Sequence, residues 1–303
     1  MATSGGKLDV LRNEPMAKHT SWRVGGPAEM FFRPASIDEL KAFLDSLPAE
    51  TPITWLGLGS NLLVRDGGIK GAVIATGGLP KEAERFDGDR VRASAALPCA
   101  TLAKRCAAWG IGPAAFFAGI PGSIGGALAM NAGAFGGETW DAVASVETID
   151  RTGTLRSRER AEFSIGYRSV TASTRHEWFI AAIFAFSSVQ ATDSAEIRAL
   201  LRERSDKQPL GVPSAGSVFR NPGGAHAGAL IEQAGLKGMQ CGGAVVADKH
   251  ANFIINTGNA TAADIERLIG DVQKRVHAAT GIWLETEVRI VGEAAAEPTE
   301  VVP

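Results

Sequence analysis

The amino-acid sequence predicts a mixed fold of alternating helices and strands, either α+β or mixed α/β, arranged in two or three domains. Three observations support this fold class. Amphipathic segments that begin at helix-capping residues alternate with short apolar segments that end in glycine. The 303 residues suffice for more than one hydrophobic core. The sequence also lacks a fixed-period repeat of the kind that builds solenoids.

The first elements are a helix and two strands. Ser36 followed by Glu39 is a capping box, and it predicts a helix whose buried face holds Leu40, Phe43, Leu44 and Leu47. Two apolar segments then predict short strands, PITWLGLG and GAVIAT. A second helix is expected to open at Pro98 and end at Gly110, with Leu102, Cys106 and Trp109 facing inward.

Strands are predicted near residues 143–150 and 178–187, and a polar helix after them is ended by Pro209. A third region follows, and the clearest domain boundary lies between residues 205 and 211. It contains a short helix over residues 227–236, a strand near 250–256, and a long helix between the N-cap Thr261 and Gly281. The alternating segment WLETEVRIV predicts a last strand over residues 283–291.

Composition argues against whole classes of partner. Lys and Arg total 31 against 33 Asp and Glu, so the net charge of −2 offers no general attraction to nucleic acid or to an anionic membrane. The three cysteines form no CxxC pair, which fits a reducing compartment better than a disulfide framework. The N-terminus lacks the apolar stretch of a secretory signal, and no apolar run is long enough to span a bilayer. We therefore expect a soluble, cytoplasmic protein.

The 36 glycines are concentrated in two clusters, residues 57–68 and 118–137. Successive backbone N–H groups in such turns can bind an anion such as a pyrophosphate. Neither cluster matches the Rossmann or P-loop pattern. Tight turns alone would explain one such cluster. Two clusters favour binding, because each follows apolar residues and carries polar groups (Ser60 and Asn61; Ser123 and Asn131).

Seven motifs in this order resemble the UDP-N-acetylenolpyruvoylglucosamine reductase family over residues 13–292. They are NEPMAKHTSWRVGGPA, LGLGSNLLVRDGG, AGIPGSIGGALAMNAGAFGG, IGYRSV, PSAGSVFRNP, AGLKGMQCGGAVVADKHANFIINTGNATAADI and LETEVRIVG. The resemblance is to the shorter class, because residues 167–207 leave little room for an extra substrate-covering insertion. It implies an α+β fold, in which two subdomains of the vanillyl-alcohol-oxidase type grip FAD and a C-terminal α/β domain binds substrate.

The expected domain bounds follow from this resemblance. They are a flexible tail over residues 1–12, an FAD-binding region over 13–205 with subdomains of about 13–80 and 81–205, a substrate-binding domain over 206–292, and a flexible tail over 293–303. The implied reaction is reduction of UDP-N-acetylglucosamine enolpyruvate to UDP-N-acetylmuramate, with NADPH as hydride donor and FAD bound non-covalently. We expect a monomer that binds a UDP-sugar and NADPH, without nucleic acid, membrane or metal.

The family match also implies which residues contact FAD. The pyrophosphate is expected at the two glycine clusters, and the contact residues are Gly57, Gly59, Ser60, Asn61, Leu62, Pro121, Gly122, Ser123, Gly125, Gly126, Asn131, Gly133 and Ala134. The last three are assigned to the flavin by the match alone.

Three residues match the family's catalytic positions. Arg168 would polarise the substrate carboxylate, because its planar guanidinium binds a carboxylate through two bonds and stays charged. Glu287 would act with it, although alternation on the predicted strand places Glu285 on the same face and cannot choose between the two acids. Ser217 would donate a proton to the carbon that becomes strongly basic. Without the family, each would be read as an ordinary surface or turn residue.

Four further residues match substrate-binding positions. Lys207 and Asn221 would hold the diphosphate, His250 would lie beside them, and Tyr167 would position the sugar. For His250 a purely structural role is equally consistent with the sequence, and Tyr167 could simply pack. Two other functions remain open: a flavin-dependent alcohol or lactone oxidase on the same scaffold, and a flavin redox sensor without catalysis.

Overall fold

A computed structural model describes residues 8–172 and 176–296. The chain divides into two compact units. The first contains Phe31–Leu58, Val73–Asp206 and the described residues before Arg12, and the second contains Arg12–Met30, Gly59–Ala72 and the described chain from Lys207 onward. The division after Asp206 falls close to the predicted boundary at residue 205, whereas two early segments belong with the C-terminal unit. As limits of folding domains, the bounds stated above stay a prediction.

The described part of the chain contains six α-helices: α1 (Ile37–Ser46), α2 (Cys99–Trp109), α3 (Ile124–Met130), α4 (Ser194–Lys207), α5 (Ala227–Gln233) and α6 (Ala262–Thr280). Its strands are β1 (Val10–Pro15), β2 (Pro27–Phe32), β3 (Ile53–Leu56), β4 (Leu62–Val64), β5 (Ile69–Ala75), β6 (Ala83–Phe86), β7 (Arg90–Ser94), β8 (Gly133–Ala134), β9 (Gly137–Glu138), β10 (Val143–Asp150), β11 (Leu155–Glu159), β12 (Phe163–Gly166), β13 (Ser169–Ala172), β14 (Glu177–Ala185), β15 (Gln240–Cys241), β16 (Ala244–Val246), β17 (Ile254–Asn256) and β18 (Arg289–Val291). No helix in these ranges is long and apolar enough to cross a membrane.

The first unit is built on a five-stranded sheet of order β11-β10-β14-β7-β6, whose neighbouring strands are all antiparallel. The second unit has an antiparallel sheet of order β15-β16-β17 and a parallel pair of β4 with β18. A further sheet has the order β1-β2-β5-β3. Each unit also has its own cluster of buried apolar side chains, around Phe117 and Phe184 in the first and around Phe219 and Leu268 in the second.

The helices begin and end where their capping residues predict. Ser36 Oγ accepts a bond from Glu39 N at 3.1 Å and starts α1. Thr261 and Asp264 form a reciprocal capping box at α6. Gly110 and Gly281 end α2 and α6 in the left-handed conformation, with φ of 64° and 74°. The predicted helices are therefore confirmed.

The predicted last strand over residues 283–291 is wrong in its first half, because β18 includes only Arg289–Val291. The preceding residues bond irregularly to the segment after Ser217: Arg220 N donates to Glu285 O at 2.9 Å, and Glu287 N donates to Val218 O at 2.7 Å. The predicted strand near 250–256 is likewise reduced to Ile254–Asn256. Backbone partners distant in sequence replace the regular ladder in both places.

The predicted tails are shorter where the structure describes them. Strand β1 begins at Val10, so residues 10–12 are extended and paired rather than loose. At the other end, Glu293 N donates to Gly68 O and Gly67 N to Glu293 O, both at 2.9 Å. Residues 1–7 and 297–303 lie outside the described chain.

Candidate active site

The predicted site residues are distributed over both units. The first unit contains Gly57, Pro121, Gly122, Ser123, Gly125, Gly126, Asn131, Gly133, Ala134, Tyr167 and Arg168. The second contains Gly59, Ser60, Asn61, Leu62, Lys207, Ser217, Asn221, His250 and Glu287.

Within the first unit, parts of the two glycine clusters meet. A Cβ atom added to Gly57 would lie 2.7 Å from Ser123 Oγ, closer than real side-chain carbons approach. Ser123 caps α3 and its Oγ accepts from Gly126 N at 3.4 Å. Gly126 is exposed, and the nearest contact of an added Cβ would be Ser123 Oγ at 3.7 Å. The backbone is thus open beside a close-packed turn, an arrangement that suits the approach of a pyrophosphate.

In the second unit, the other half of the first glycine cluster is fixed by its neighbours. Gly59 has φ of +65°, and an added Cβ would lie 2.0 Å from His19 O. Only glycine fits such a position. Asn61 Nδ2 donates to Glu287 O at 3.1 Å, and Arg289 N donates to Asn61 O at 3.0 Å. Asn61, expected at the cofactor, is therefore bonded to the backbone of the predicted catalytic acid.

Asn131, which the match assigned to the flavin, uses its side chain within the protein. The residue is 1% exposed, and its amide nitrogen donates to Glu138 Oε2 at 2.7 Å and to Gly166 O at 3.2 Å. Its Oδ1 accepts from Trp140 N at 3.1 Å. Asn131 ends α3 with φ of 47°. These bonds give its amide a structural role, linking the end of α3 to the segment before Arg168.

The Arg168 guanidinium is held by backbone carbonyls. Nη1 donates to Asn131 O at 3.3 Å and Nη2 donates to Gly133 O at 3.1 Å. Nη1 also lies 3.9 Å from Glu138 Oε1, and the side chain is 15% exposed. The residue has φ of +53°, which is uncommon for a side chain other than glycine and is typical of functional sites. A largely buried, oriented cation of this kind suits a developing anion.

Tyr167 lies against Arg168. The Arg168 Cζ atom is 5.0 Å from the centre of the Tyr167 ring, within cation–π distance. The tyrosine is 46% exposed. This stacking gives Tyr167 a role in holding the arginine, in addition to the sugar contact that we predicted.

The segment after Ser217 is held on two sides within the second unit. Asn252 bonds to the backbone of Val218 and Phe219, while Glu287 N donates to Val218 O. Ser217 itself is half-buried. The predicted proton donor and the predicted acid therefore occupy hydrogen-bonded neighbouring segments.

Burial separates the two acids that alternation could not separate. The side chain of Glu285 is 74% exposed, whereas Glu287 is half-buried. The argument from a shared strand face does not apply, because no regular strand passes through both residues. Of the two, Glu287 alone has the partial burial expected of a functional acid, and its assignment stays a prediction.

The predicted substrate residues differ in how far their neighbours constrain them. Asn221 Oδ1 accepts from Ala227 N at 3.0 Å, so the amide nitrogen of Asn221 points away from Ala227. That nitrogen is the donor that a phosphate needs. Lys207 is exposed at the end of α4. His250 Nδ1 accepts from Asn252 N at 3.2 Å, and burial lowers the pKa of the ring. The neutral ring thus carries its proton on Nε2 and can donate from there.

Sequence reasoning missed Glu138 and Asn252. Glu138 lies between the Asn131 amide and Arg168, and Asn252 lies beside the Ser217 segment. The one available signal for Asn252 was a polar residue inside the apolar run ANFII. Within residues 8–172 and 176–296, no cluster of three or more His, Cys, Asp or Glu could hold a metal ion.

Comparisons with known proteins place the chain. A family model for an FAD binding domain matches residues 28–158, and a model for the C-terminal domain of UDP-N-acetylenolpyruvoylglucosamine reductase matches residues 208–291. UDP-N-acetylenolpyruvoylglucosamine reductase of Alkalilimnicola ehrlichii is 55% identical over 93% of this chain and 94% of that protein. The chain belongs to the UDP-N-acetylenolpyruvoylglucosamine reductase family.

Other members of this reductase family are also similar to the chain in sequence and in structure. The protein of that name from Methylococcus capsulatus is 53% identical over 94% of each chain. The crystal structure of the Thermus caldophilus reductase matches with a TM-score of 0.77 at 30% identity, over 94% of this chain and 98% of that one. The predicted family, the α+β fold with an FAD-binding unit, and an FAD-dependent oxidoreductase that uses NADPH are confirmed. The roles of individual site residues stay predictions.

Proposed function

We propose that this chain catalyses the NADPH-dependent reduction of UDP-N-acetylglucosamine enolpyruvate to UDP-N-acetylmuramate, a step of peptidoglycan precursor synthesis. The observation that carries the proposal is the 55% identity to a reductase of this family over 93% of the chain. The architecture around Arg168 and Ser217 supports it, because each residue is held in a defined position within its own unit.

The residues present fit FAD. Gly57 has no room for a side chain beside Ser123, and the neighbouring Gly126 is exposed, so the backbone of this turn is open to a pyrophosphate. Gly57 with residues 121–126 in the first unit, and residues 59–62 in the second, would hold the cofactor without a covalent link. When bound, FAD would supply the hydride for the reduction, with NADPH as its source. The remaining tasks are orientation, charge stabilisation and proton transfer, and these belong to the protein.

Arg168 stabilises charge. As hydride reaches the far carbon of the enolpyruvyl double bond, negative charge spreads over the α-carbon and the carboxylate. The Arg168 guanidinium can bind that carboxylate and does not lose its proton. Its two carbonyl contacts fix the group before the substrate arrives, so little reorganisation accompanies the reaction.

Ser217 and Glu287 complete the reaction. A serine hydroxyl is a weak acid, but an α-carbon with enolate character is basic enough to take its proton. A proton source must then restore the serine. Glu287, half-buried on the segment bonded to Val218, would act with Arg168 at the carboxylate or through a bound water.

Diphosphate binding is assigned to Lys207 and Asn221, with His250 beside them. The amide nitrogen of Asn221 and the Lys207 ammonium are donors, as phosphate oxygens require. We further infer a cytoplasmic location, because the cysteines are all unpaired thiols, as in a reducing compartment, and the monomer stays a prediction.

The deciding experiment separates the two half-reactions. Purified protein with bound flavin is mixed anaerobically with NADPH until the flavin absorbance bleaches, and UDP-N-acetylglucosamine enolpyruvate is then added. We expect rapid reoxidation in the unmodified protein, and in Ser217→Ala we expect normal bleaching followed only by very slow reoxidation. Reoxidation by oxygen alone would instead support an oxidase, and slow NADPH oxidation without response to the enolpyruvyl substrate would support a redox sensor.

A further inference from the structure

The two peptide groups that flank Phe219, two residues after Ser217, are bonded to one buried side chain. Phe219 N donates to Asn252 Oδ1 at 2.9 Å, and Asn252 Nδ2 donates to Phe219 O at 2.8 Å. The backbone of Asn252 adds a third bond, because Val218 N donates to Asn252 O at 2.9 Å. Asn252 is 3% exposed, so these bonds form away from bulk water.

The arrangement at Phe219 imitates strand pairing. An amide side chain offers one acceptor and one donor in a plane, and it satisfies both polar groups of a single residue. Two bonds to Phe219 and one to Val218 restrict rotation of the backbone directly after Ser217. The direction of the Ser217 Cα–Cβ bond is therefore set, while its hydroxyl stays free to rotate about χ1.

The opposite side of the same segment bonds to the residues around Glu287. Glu287 N and Val288 N both donate to Val218 O, at 2.7 and 3.3 Å, and Phe219 pairs with Thr286 in an isolated bridge. Asn252 thus fixes one side of the serine segment, and the Glu287 segment fixes the other. Removal of the asparagine amide would leave, on that side, only the bond from Val218 N to the backbone oxygen of Asn252.

Asn252 is itself fixed by His250. The Asn252 N–H donates to His250 Nδ1 at 3.2 Å, and the ring packs edge-on against Phe253 at 5.0 Å between centroids. The Gly228 Cα lies beside the ring, since a Cβ added there would be 3.1 Å from His250 Cε1. The Asn252 backbone is consequently held by His250, a residue that is itself predicted to lie at the substrate.

We propose that Asn252 is the positioning residue for Ser217 in the reduction of the enolpyruvyl substrate, an inference that rests on the proton-donor role proposed above. Proton transfer to carbon requires the hydroxyl to lie within hydrogen-bond distance of the α-carbon and in line with its developing lone pair. A displacement of about 1 Å can reduce such a rate by roughly 10²-fold. Asn252 prevents that displacement without touching the substrate.

The test uses Asn252→Asp, which keeps the acceptor for Phe219 N but places an oxygen opposite Phe219 O. In the two half-reactions, reoxidation of the flavin by the enolpyruvyl substrate should slow roughly 10- to 100-fold, and bleaching by NADPH should be unchanged. Repulsion between the introduced carboxylate and Phe219 O should push the two segments apart, so hydrogen exchange should accelerate at the Val218 and Phe219 amides, a readout independent of catalysis. Unchanged reoxidation together with faster exchange would overturn the proposal.

Asn256→Asp is the matched control. Asn256 is 5% exposed in the same unit, donates to Trp22 O at 2.9 Å, and accepts from Gly258 N and Ala260 N. The change is chemically identical but lies outside the serine segment. It should lower the melting temperature without slowing reoxidation selectively, and equal slowing in both variants would assign the Asn252 effect to general destabilisation.

A double variant separates this inference from the proposed function. In the Ser217→Ala background, Asn252→Asp should cause no further loss, because the group it positions is already absent. A full additional loss would overturn the positioning role while leaving the function intact. Failure of the unmodified protein to be reoxidised would instead refute the function itself. If Asn252→Asp does not fold, Asn252→Ser leaves room for water at Phe219 and provides the same readouts.

Discussion

Arg168 in the first unit and Ser217 in the second are both fixed by hydrogen bonds to backbone, but the bonds act on different parts of the residue. At Arg168 the guanidinium itself donates to Asn131 O and Gly133 O. At Ser217 the fixed groups are the following peptides, which bond to Asn252 and to the Glu287 segment. At Arg168 the side-chain guanidinium is held in place, whereas at Ser217 the backbone is held and the side-chain hydroxyl can still rotate.

The difference matches what each residue has to do. Charge stabilisation requires a cation that is already in place, because reorientation during the reaction would reduce its benefit. Proton donation requires a hydroxyl that can turn first toward the substrate and then toward its own proton source. A fixed backbone with a rotating Oγ allows both orientations of the hydroxyl. The proposed roles therefore call for a rigid side chain at Arg168 and a rotatable one at Ser217.

The largest effect on the rate of flavin reoxidation is expected from a substitution of Arg168. Arg168→Lys keeps the positive charge but cannot bond to two carbonyls and a carboxylate together. Reoxidation by the enolpyruvyl substrate should fall by about 10²- to 10³-fold, while reduction by NADPH is retained, as stopped-flow absorbance would show. A lysine variant with near-normal reoxidation would mean that charge alone matters at this position.

The next effect distinguishes the two acids beside the serine segment. Glu287→Gln should slow reoxidation by roughly 10²-fold, because it removes the half-buried acid that we propose to act with Arg168 at the carboxylate or through a bound water. Glu285→Gln is the control, and its 74% exposed side chain predicts a rate within about twofold of the unmodified protein. The assignment of the acid would be reversed if the Glu285 variant were the slower one in the same stopped-flow assay.

A smaller effect is expected at Glu138, which lies between the Asn131 amide and Arg168. Glu138→Gln retains an oxygen for Asn131 but removes the charge near the guanidinium. The loss of a charge-assisted contact of about 1 kcal/mol predicts reoxidation slower by roughly fivefold, with reduction by NADPH unchanged. A variant in which both half-reactions slow equally would show that Glu138 supports the fold and not Arg168 specifically.

The smallest effect is a pH dependence of stability at His250. Burial lowers its pKa from 6.5, with Lys237 lowering it further and Glu232 raising it. Below about pH 6.5 the unfolded chain therefore binds more protons than the folded one, and this histidine reduces stability as the pH falls, with no contribution at higher pH. Denaturant titration should show that the stability advantage of the unmodified protein over His250→Gln shrinks from neutral to mildly acid pH. A constant difference would contradict the assignment.

Local signals in the sequence were sufficient for five of the six described helices, whereas α3 inside the second glycine cluster was not predicted. Ser36, Thr261, Gly110 and Gly281 act within four residues of themselves, so a capping pattern predicts the same boundary that the folded chain adopts. The last strand could not be predicted in this way. Alternation in WLETEVRIV is genuine, but the segment before Arg289 bonds to Val218 and Arg220, and no pattern within the segment reveals those partners.

The same limit applies to the site. Arg168, Ser217 and Glu287 were predicted because their motifs resemble a known family, not because spacing required them. The residues that hold them, Glu138 and Asn252, carry no motif of their own. Glu138 bonds to a residue 7 positions away in sequence, and Asn252 bonds to one 33 positions away. Asn131 illustrates the converse: the match assigns the residue to the flavin, and only the structure reveals that neighbouring groups already bond to the polar atoms of its side chain.

The pairing of β4 with β18 has a consequence for how the protein is made. Asn61 bonds to Glu287 across 226 residues of sequence, and the parallel ladder of residues 62–64 with 289–291 follows directly after it. A ribosome-bound chain that has not yet reached Arg289 lacks the strand with which residues 62–64 pair. We therefore expect this part of the site to become ordered only after residues 289–291 have been synthesised, so that flavin retention requires those residues.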